Sequence, residues 1–147
     1  MWEPTGLGST LSRLAPALLD DAADRLFNEA RSFRRFGRRQ RHRVRILAKR
    51  LRYALDLFAA TLPAHDTVEY IDRLAEFQES LGELTDAYAA LELLRERLDK
   101  AETVKVLSEW VEAIEPGLVD RAARQLSAIA RRPRPCRPSS SPRSSRA

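Results

Sequence analysis

The chain holds one cysteine, Cys136, in 147 residues. It has no partner for an internal disulfide, which excludes a disulfide-stapled fold and makes a reducing, cytoplasmic location the expectation. Glycine is also scarce, at five residues, in a sequence dominated by Leu, Ala, Arg and Glu. That balance suits helices. No stretch approaches the roughly 20 uncharged apolar residues of a membrane span. The N-terminus, MWEPTGLGST, lacks the basic start and apolar run of a secretory signal. The two histidines, His42 and His65, sit on different segments and make a poor metal site. No Gly-rich phosphate loop, H-E-x-x-H pattern or Cys/His cluster occurs. These absences point away from a metal, a cofactor and an enzyme.

What is present is a globular mixture, 44% apolar and 32% charged, of a length that suits one domain with a single moderate core. The net charge of +5 conceals an asymmetry. Eleven Lys/Arg residues and no acid fall between Arg31 and Arg52, and six more arginines lie between Arg131 and Ala147. Nine basic residues remain against all 21 acids, so the rest of the chain carries −12. A charge run is most simply a solvated face. Here, eleven like charges without a counter-charge repel one another, so their helix needs strong packing or an anionic partner.

Apolar spacing divides the chain into four helices. After a flexible lead over residues 1–10, Leu14, Leu18, Ala22, Leu26, Ala30 and Phe33 recur every three or four residues and predict a helix from about Ser12 to Phe36. Pro16 is acceptable there only in a first turn. Gly37 offers a break. A second helix spans about 39–62 and stops before Pro63. Asp66 and Glu69 resemble a capping box opening a third helix that runs to about Lys100. A fourth follows from about Glu102, is interrupted at Pro116-Gly117, and resumes to about Ala130. Nothing alternates with period two. The expectation is an all-α, antiparallel four-helix bundle over residues 11–131. Residues 132–147 form a basic Pro/Ser/Arg tail, expected to be disordered.

The second helix has distinct faces. Val44, Leu47, Leu51, Leu55 and Phe58 form the bundle seam. Arg38, His42, Arg45, Lys49 and Arg52 form a basic row, one turn after another, read as nearly opposite. Ile46, Tyr53 and Leu57 make a second, narrower apolar strip bordering that row. Two apolar strips with a cationic row beside the second place the row in a groove or channel wall. From His42 to Arg52 it extends about 15 Å, enough to meet a chain of phosphates. Arginine forks grip two phosphate oxygens at once, lysine adds a point charge, and Tyr53 offers a hydroxyl. On the third helix Ala75, Gly82 and Ala89 repeat every seven residues, a row that permits close helix approach. Gln78 and Asp86 lie near it, and Asp86 could hold one arginine in position.

The segment from His42 to Phe58, HRVRILAKRLRYALDLF, resembles the H-x-x-R-x-x-x-K-R-x-R-Y signature of CHAD domains, the conserved histidine α-helical domains. The segment from Leu74 to Leu94, LAEFQESLGELTDAYAALELL, is similar to the L-x-x-x-Q-x-x-L-G-x-x-x-D helix that follows it in that family. With flanking helices the resemblance extends over roughly residues 10 to 130. It implies an all-α fold, inorganic polyphosphate as ligand and no catalytic role. Carried over onto this chain, the signature marks His42, Arg45, Lys49, Arg50, Arg52 and Tyr53, to which the basic run adds Arg38 and Arg41. Arg50 fits the signature but falls off the main basic face. Members of the family usually contain two related four-helix halves around a basic channel. This chain has one copy of the motif, resembling the C-terminal half, so either it is a remnant with a weakened site or, as expected here, a homodimer joined through Ile46, Tyr53 and Leu57 rebuilds the channel.

Two rivals compete with polyphosphate. Arginine-rich helices also bind RNA or DNA backbones, although only Phe33, Phe36 and Tyr53 could stack bases nearby. A helical scaffold docking an acidic protein is the other.

Overall fold

The computed structural model describes residues 5–97 and 100–137. Four helices follow one another: α1 (Thr5–Glu29), α2 (Arg38–Phe58), α3 (Ala64–Arg97) and α4 (Ala101–Ala130). Single 3-10 turns at Phe33–Arg35 and Ala59–Thr61 complete the links flanking α2. Among the described residues there is no strand. Short links force successive helices antiparallel, and each packs on the next, α1 on α2, α2 on α3 and α3 on α4. The fold is the expected all-α bundle.

Leu19 and Leu26 of α1, Leu51 and Leu55 of α2, Leu74 and Phe77 of α3, and Ile129 of α4 meet in one core, each at most 1% exposed. Burying such a side chain contributes about 1.5–3 kcal/mol. Phe33, from the link between α1 and α2, packs edge-on against Phe77 with ring centroids 5.8 Å apart. Gly37 starts α2, its backbone N–H donating to the Gln40 side chain at 3.1 Å.

Several boundaries differ from those the sequence suggests. Helix α1 begins at Thr5, not Ser12, so part of the lead is helical and Pro16 stands in the helix interior. Its buried stripe runs through Ala15, Leu19 and Ala23 to the expected Leu26, Ala30 and Phe33, while Leu14 and Leu18 are more than half exposed. Two apolar stripes interleave on this helix; the leucine-rich one is conspicuous in sequence, but close packing takes the one with alanines. Helix α4 runs unbroken through Pro116, because Val111 before it and Leu118, Val119 and Ala122 after it are all buried. No capping box forms at Asp66. Helix α3 starts at Ala64, the Thr67 hydroxyl donates to the Pro63 carbonyl at 2.7 Å, and Glu69 pairs with Arg73 and Arg132.

The largest departure is at the C-terminal end. Residues 131–137, expected to be mostly tail, fold back as a strap across α1. The Arg134 guanidinium donates to Asp20 at 2.8 Å and Asp24 at 2.7 Å, and Arg137 also pairs with Asp20. Pro135 is buried and Cys136 half-buried beside them. Burial pushes the Asp20 carboxyl up, but the two guanidinia outweigh it and hold it below the usual carboxylate range. Beneath the strap the buried Tyr70 hydroxyl is pushed up to about 12, chiefly by burial. The rest of the predicted tail, residues 138–147, and residues 1–4 of the lead lie outside the described residues.

Arg38, the first residue of α2, pairs with Glu92 at 3.1 Å. Residues 93–97 and the start of α4 therefore extend past α2 as a two-helix arm, on which Leu93, Val106 and Trp110 are exposed.

Candidate functional site

The eleven basic residues from Arg31 to Arg52 separate by the partners they find. Arg34 pairs with Asp120, Arg38 with Glu92, Arg41 with Glu115 at 2.6 Å, and Arg43 with Glu29 at 3.3 Å. Arg31 donates to the Asn28 side-chain oxygen at 2.9 Å. Among the described residues no carboxylate comes within ion-pair distance of the remaining six, Arg35, Arg39, Arg45, Lys49, Arg50 and Arg52. Around the helix start pairing takes Arg34, Arg38, Arg41 and Arg43 and leaves Arg35 and Arg39, whereas from Arg45 to Arg52 no cation is compensated among the described residues.

Three of those six stand together. Arg45, Lys49 and Arg52, with His42 one turn ahead, line one wall of a groove of about 780 Å³ between α2 and α3. The buried residues of α2 are Val44, Ala48, Leu51, Leu55 and Phe58. Arg45, Lys49 and Arg52 each follow one of these by a single position, so the row lies roughly 100° around the axis from the seam. It is beside the seam, not opposite it. That offset leaves Arg45 and Arg52 half-buried against α3, as a groove wall requires.

Helix α3 supplies the floor and the far wall. Ala75 and Gly82 line the groove, and a Cβ built on Gly82 would meet nothing within 4 Å. The small residues here leave open space; they do not draw two helices together, as their spacing suggested. Across from the cations stand Gln78, Glu79, Glu83 and Asp86. Glu83 is compensated by Arg121 of α4 at 3.4 Å. Asp86 lines the groove without forming an ion pair among the described residues, so it holds no arginine. Gln78 lines the groove, and its Nε2 is buried with no hydrogen-bond partner. At the rim the exposed Tyr53 ring lies 5.4 Å from both the Lys49 ammonium and the Arg52 guanidinium.

Other sequence-marked residues lie elsewhere. Arg50 lines the cleft between α1 and α2 with Arg25 and Arg43, on the other side of the helix. Arg41 lies on the seam line itself, its side chain only 12% exposed, and ties α2 to Glu115 of α4. Burial pushes the Glu115 carboxyl up, but hydrogen bonds from the Tyr88 hydroxyl and Arg41 hold it below the usual range. Burial, then Glu115 beside it, raises the Tyr88 phenol. The Arg38 guanidinium sits over the Tyr88 ring, 3.6 Å from its centroid. Sequence reasoning gave Gln78 no role, although it sits one turn before Gly82. Glu115, beside a proline, carried no signal at all. Among the described residues no group of side chains could hold a metal ion, and no helix is long and apolar enough to cross a membrane.

The CHAD domain family model matches residues 3–95, more than half of the chain. The chain belongs to the CHAD domain family. No curated protein and no solved structure matches it. The CHAD domain match covers α1, α2 and nearly all of α3, so both groove walls lie within it, whereas α4 and the strap lie outside. Within that domain the H-x-x-R-x-x-x-K-R-x-R-Y run places His42, Arg45, Lys49 and Arg52 on the groove wall, Tyr53 at its rim and Arg50 behind it.

Proposed function

We propose that this CHAD domain binds inorganic polyphosphate, or a similar phosphate polymer, along the groove between α2 and α3, and that it performs no catalysis. The observation that carries the reading is the selective lack of counter-charges. Arg45, Lys49 and Arg52 stand on successive turns without a carboxylate, while four other arginines in the same run find one. An anionic polymer lying along the row relieves the repulsion between these cations. His42 supplies an N–H group from the α2 wall, and Tyr53 supplies a hydroxyl at the rim. Arg38 and Arg50 are outlying contacts for a longer polymer, and Arg41 holds α2 in place. Membership of the CHAD family, whose members bind polyphosphate, supports the same ligand.

The acids across the groove count against a tight site in the single chain. Glu79 and Asp86 face the phosphates uncompensated. A second copy covering the exposed Ile46, Tyr53 and Leu57 would bring a second basic row to the polymer. Light scattering at tens of micromolar protein with polyphosphate tests that arrangement, and a strictly monomeric complex refutes it.

The test of the binding itself is a parallel titration with long-chain polyphosphate and an RNA of matched charge. The parent chain, Arg45→Ala/Lys49→Ala and a chain lacking residues 138–147 are compared. Polyphosphate binding tighter than RNA, lost in the double variant and kept in the shortened chain, is the expected result. Equal binding of RNA that depends on the terminal arginines would overturn the proposal in favour of non-specific nucleic-acid binding.

A further inference from the structure

The groove does not end at His42. His42 and Arg45 also border a second cavity of about 370 Å³, nearer the start of α2 and of different chemistry. Its α3 side is formed by Leu81, Leu84, Thr85, Tyr88 and Ala89, and its α2 side carries Arg38 and Arg39. One end of a continuous anion track therefore opens onto an apolar recess. The arginines at its edge can meet a passing phosphate, but a bare phosphate chain has nothing to place deeper, since burying an anion against leucines costs solvation and returns no hydrogen bond. A ligand with a phosphate chain at one end and a flat, largely apolar group at the other would use both parts.

Resting on the reading of the basic row as a phosphate site, we infer that this recess receives the base of a nucleoside polyphosphate whose phosphates lie along His42, Arg45 and Lys49. The recess falls within the roughly 300–1,000 Å³ typical of small-molecule sites. The Arg38 guanidinium is already laid over the Tyr88 ring and held by Glu92 at 3.1 Å, which fixes a planar cation at the recess. Bases stack on such guanidinium planes as they do on aromatic rings, whereas an acyl chain gains nothing from one. The Thr85 hydroxyl donates to the Leu81 carbonyl at 2.8 Å, leaving its lone pairs to accept. With the second oxygen of Glu92 it offers acceptors suited to the exocyclic amine of adenine.

ATP and inorganic tripolyphosphate, both without divalent cation, separate the contributions of base and phosphate. ATP carries less charge, so phosphate contacts alone favour tripolyphosphate. Calorimetric titration is expected to find ATP binding roughly tenfold tighter, the scale of one stacked base. Ala89→Trp, at an exposed position lining the recess, should remove that advantage and leave tripolyphosphate affinity unchanged. Tripolyphosphate binding as well as ATP, or Ala89→Trp weakening both equally, would overturn the inference while leaving the polyphosphate reading intact. Failure of long-chain polyphosphate and ATP alike to bind overturns both readings. A circular dichroism melt of Ala89→Trp that matches the parent chain confirms that any loss belongs to the recess.

Discussion

The salt dependence of polyphosphate binding should distinguish the uncompensated cations of α2 from the paired ones. Each phosphate contact made by a cation releases counterions, and for a single-stranded polyanion the log–log slope is about −0.7 per contact. Arg45, Lys49 and Arg52 give three contacts on one groove wall, hence a slope near −2 and a roughly fifteen- to twentyfold loss of affinity between about 50 and 200 mM salt. Lys49→Ala removes one of the three. The slope should then flatten by about 0.7 and affinity at low salt should fall severalfold. Arg43→Ala is the control, because Arg43 is on the same helix, equally basic, paired with Glu29 and directed to the α1–α2 cleft. Its slope should match the parent's. Fluorescence anisotropy of a labelled polyphosphate across four salt concentrations gives both slopes. The reasoning is refuted if Arg43→Ala flattens the dependence as much as Lys49→Ala, or if Lys49→Ala leaves it unchanged.

Four further outcomes follow from the groove and the strap. Glu79→Gln and Asp86→Asn each remove a carboxylate that faces the row without holding it, so both should raise polyphosphate affinity about two- to fivefold at low salt; a loss with Asp86→Asn would show that Asp86 positions an arginine after all. Gly82→Ala should stabilise the fold by roughly 0.5–1 kcal/mol in a chemical denaturation, since a Cβ there meets nothing and glycine is a poor helix former. Gly82→Phe should fold but bind polyphosphate more weakly by filling the groove, and unchanged binding would place the polymer elsewhere. Asp20→Asn should cost about 1 kcal/mol at pH 7, limited by solvent at the outer edge of the strap. The folded Asp20 carboxyl is held low, so its stabilisation is complete above the ordinary aspartate value near 4 and is lost as pH falls through the folded value. Melts of parent and variant should therefore converge well below pH 4, and a constant gap would mean that the charge is not the cause.

Much of this architecture could be read from residue spacing. Four of the five predicted seam residues of α2, Val44, Leu51, Leu55 and Phe58, are buried, because one strongly amphipathic helix admits one buried stripe; Ala48 takes the remaining place and Leu47 is only partly buried, at the α1–α2 cleft. Helix α1 was ambiguous, since Leu14 and Ala15 begin competing stripes and only the neighbour's shape chooses between them. The basic row was legible as a run of charge, but which members stay uncompensated was not. That depends on Glu92 and Glu115, more than fifty residues away in the chain, reaching Arg38 and Arg41. The strap escaped notice for a similar reason. Its Pro/Arg composition reads as disorder until Asp20 and Asp24 of α1 are brought beside Arg134. Small residues carried an ambiguous message too, since Ala75 and Gly82 fit a close helix contact and an open groove floor equally well.

Mapping the contact surface directly tests the central claim. Backbone amide spectra of the isotopically labelled chain would be recorded with and without long-chain polyphosphate. The account predicts shifts that follow the groove, at His42, Arg45, Lys49 and Arg52 on α2 and from Gln78 to Gly82 on α3, with the strap residues 131–137 unmoved. Shifts confined to the strap and to the Arg25–Arg43 cleft, with the groove silent, would contradict it.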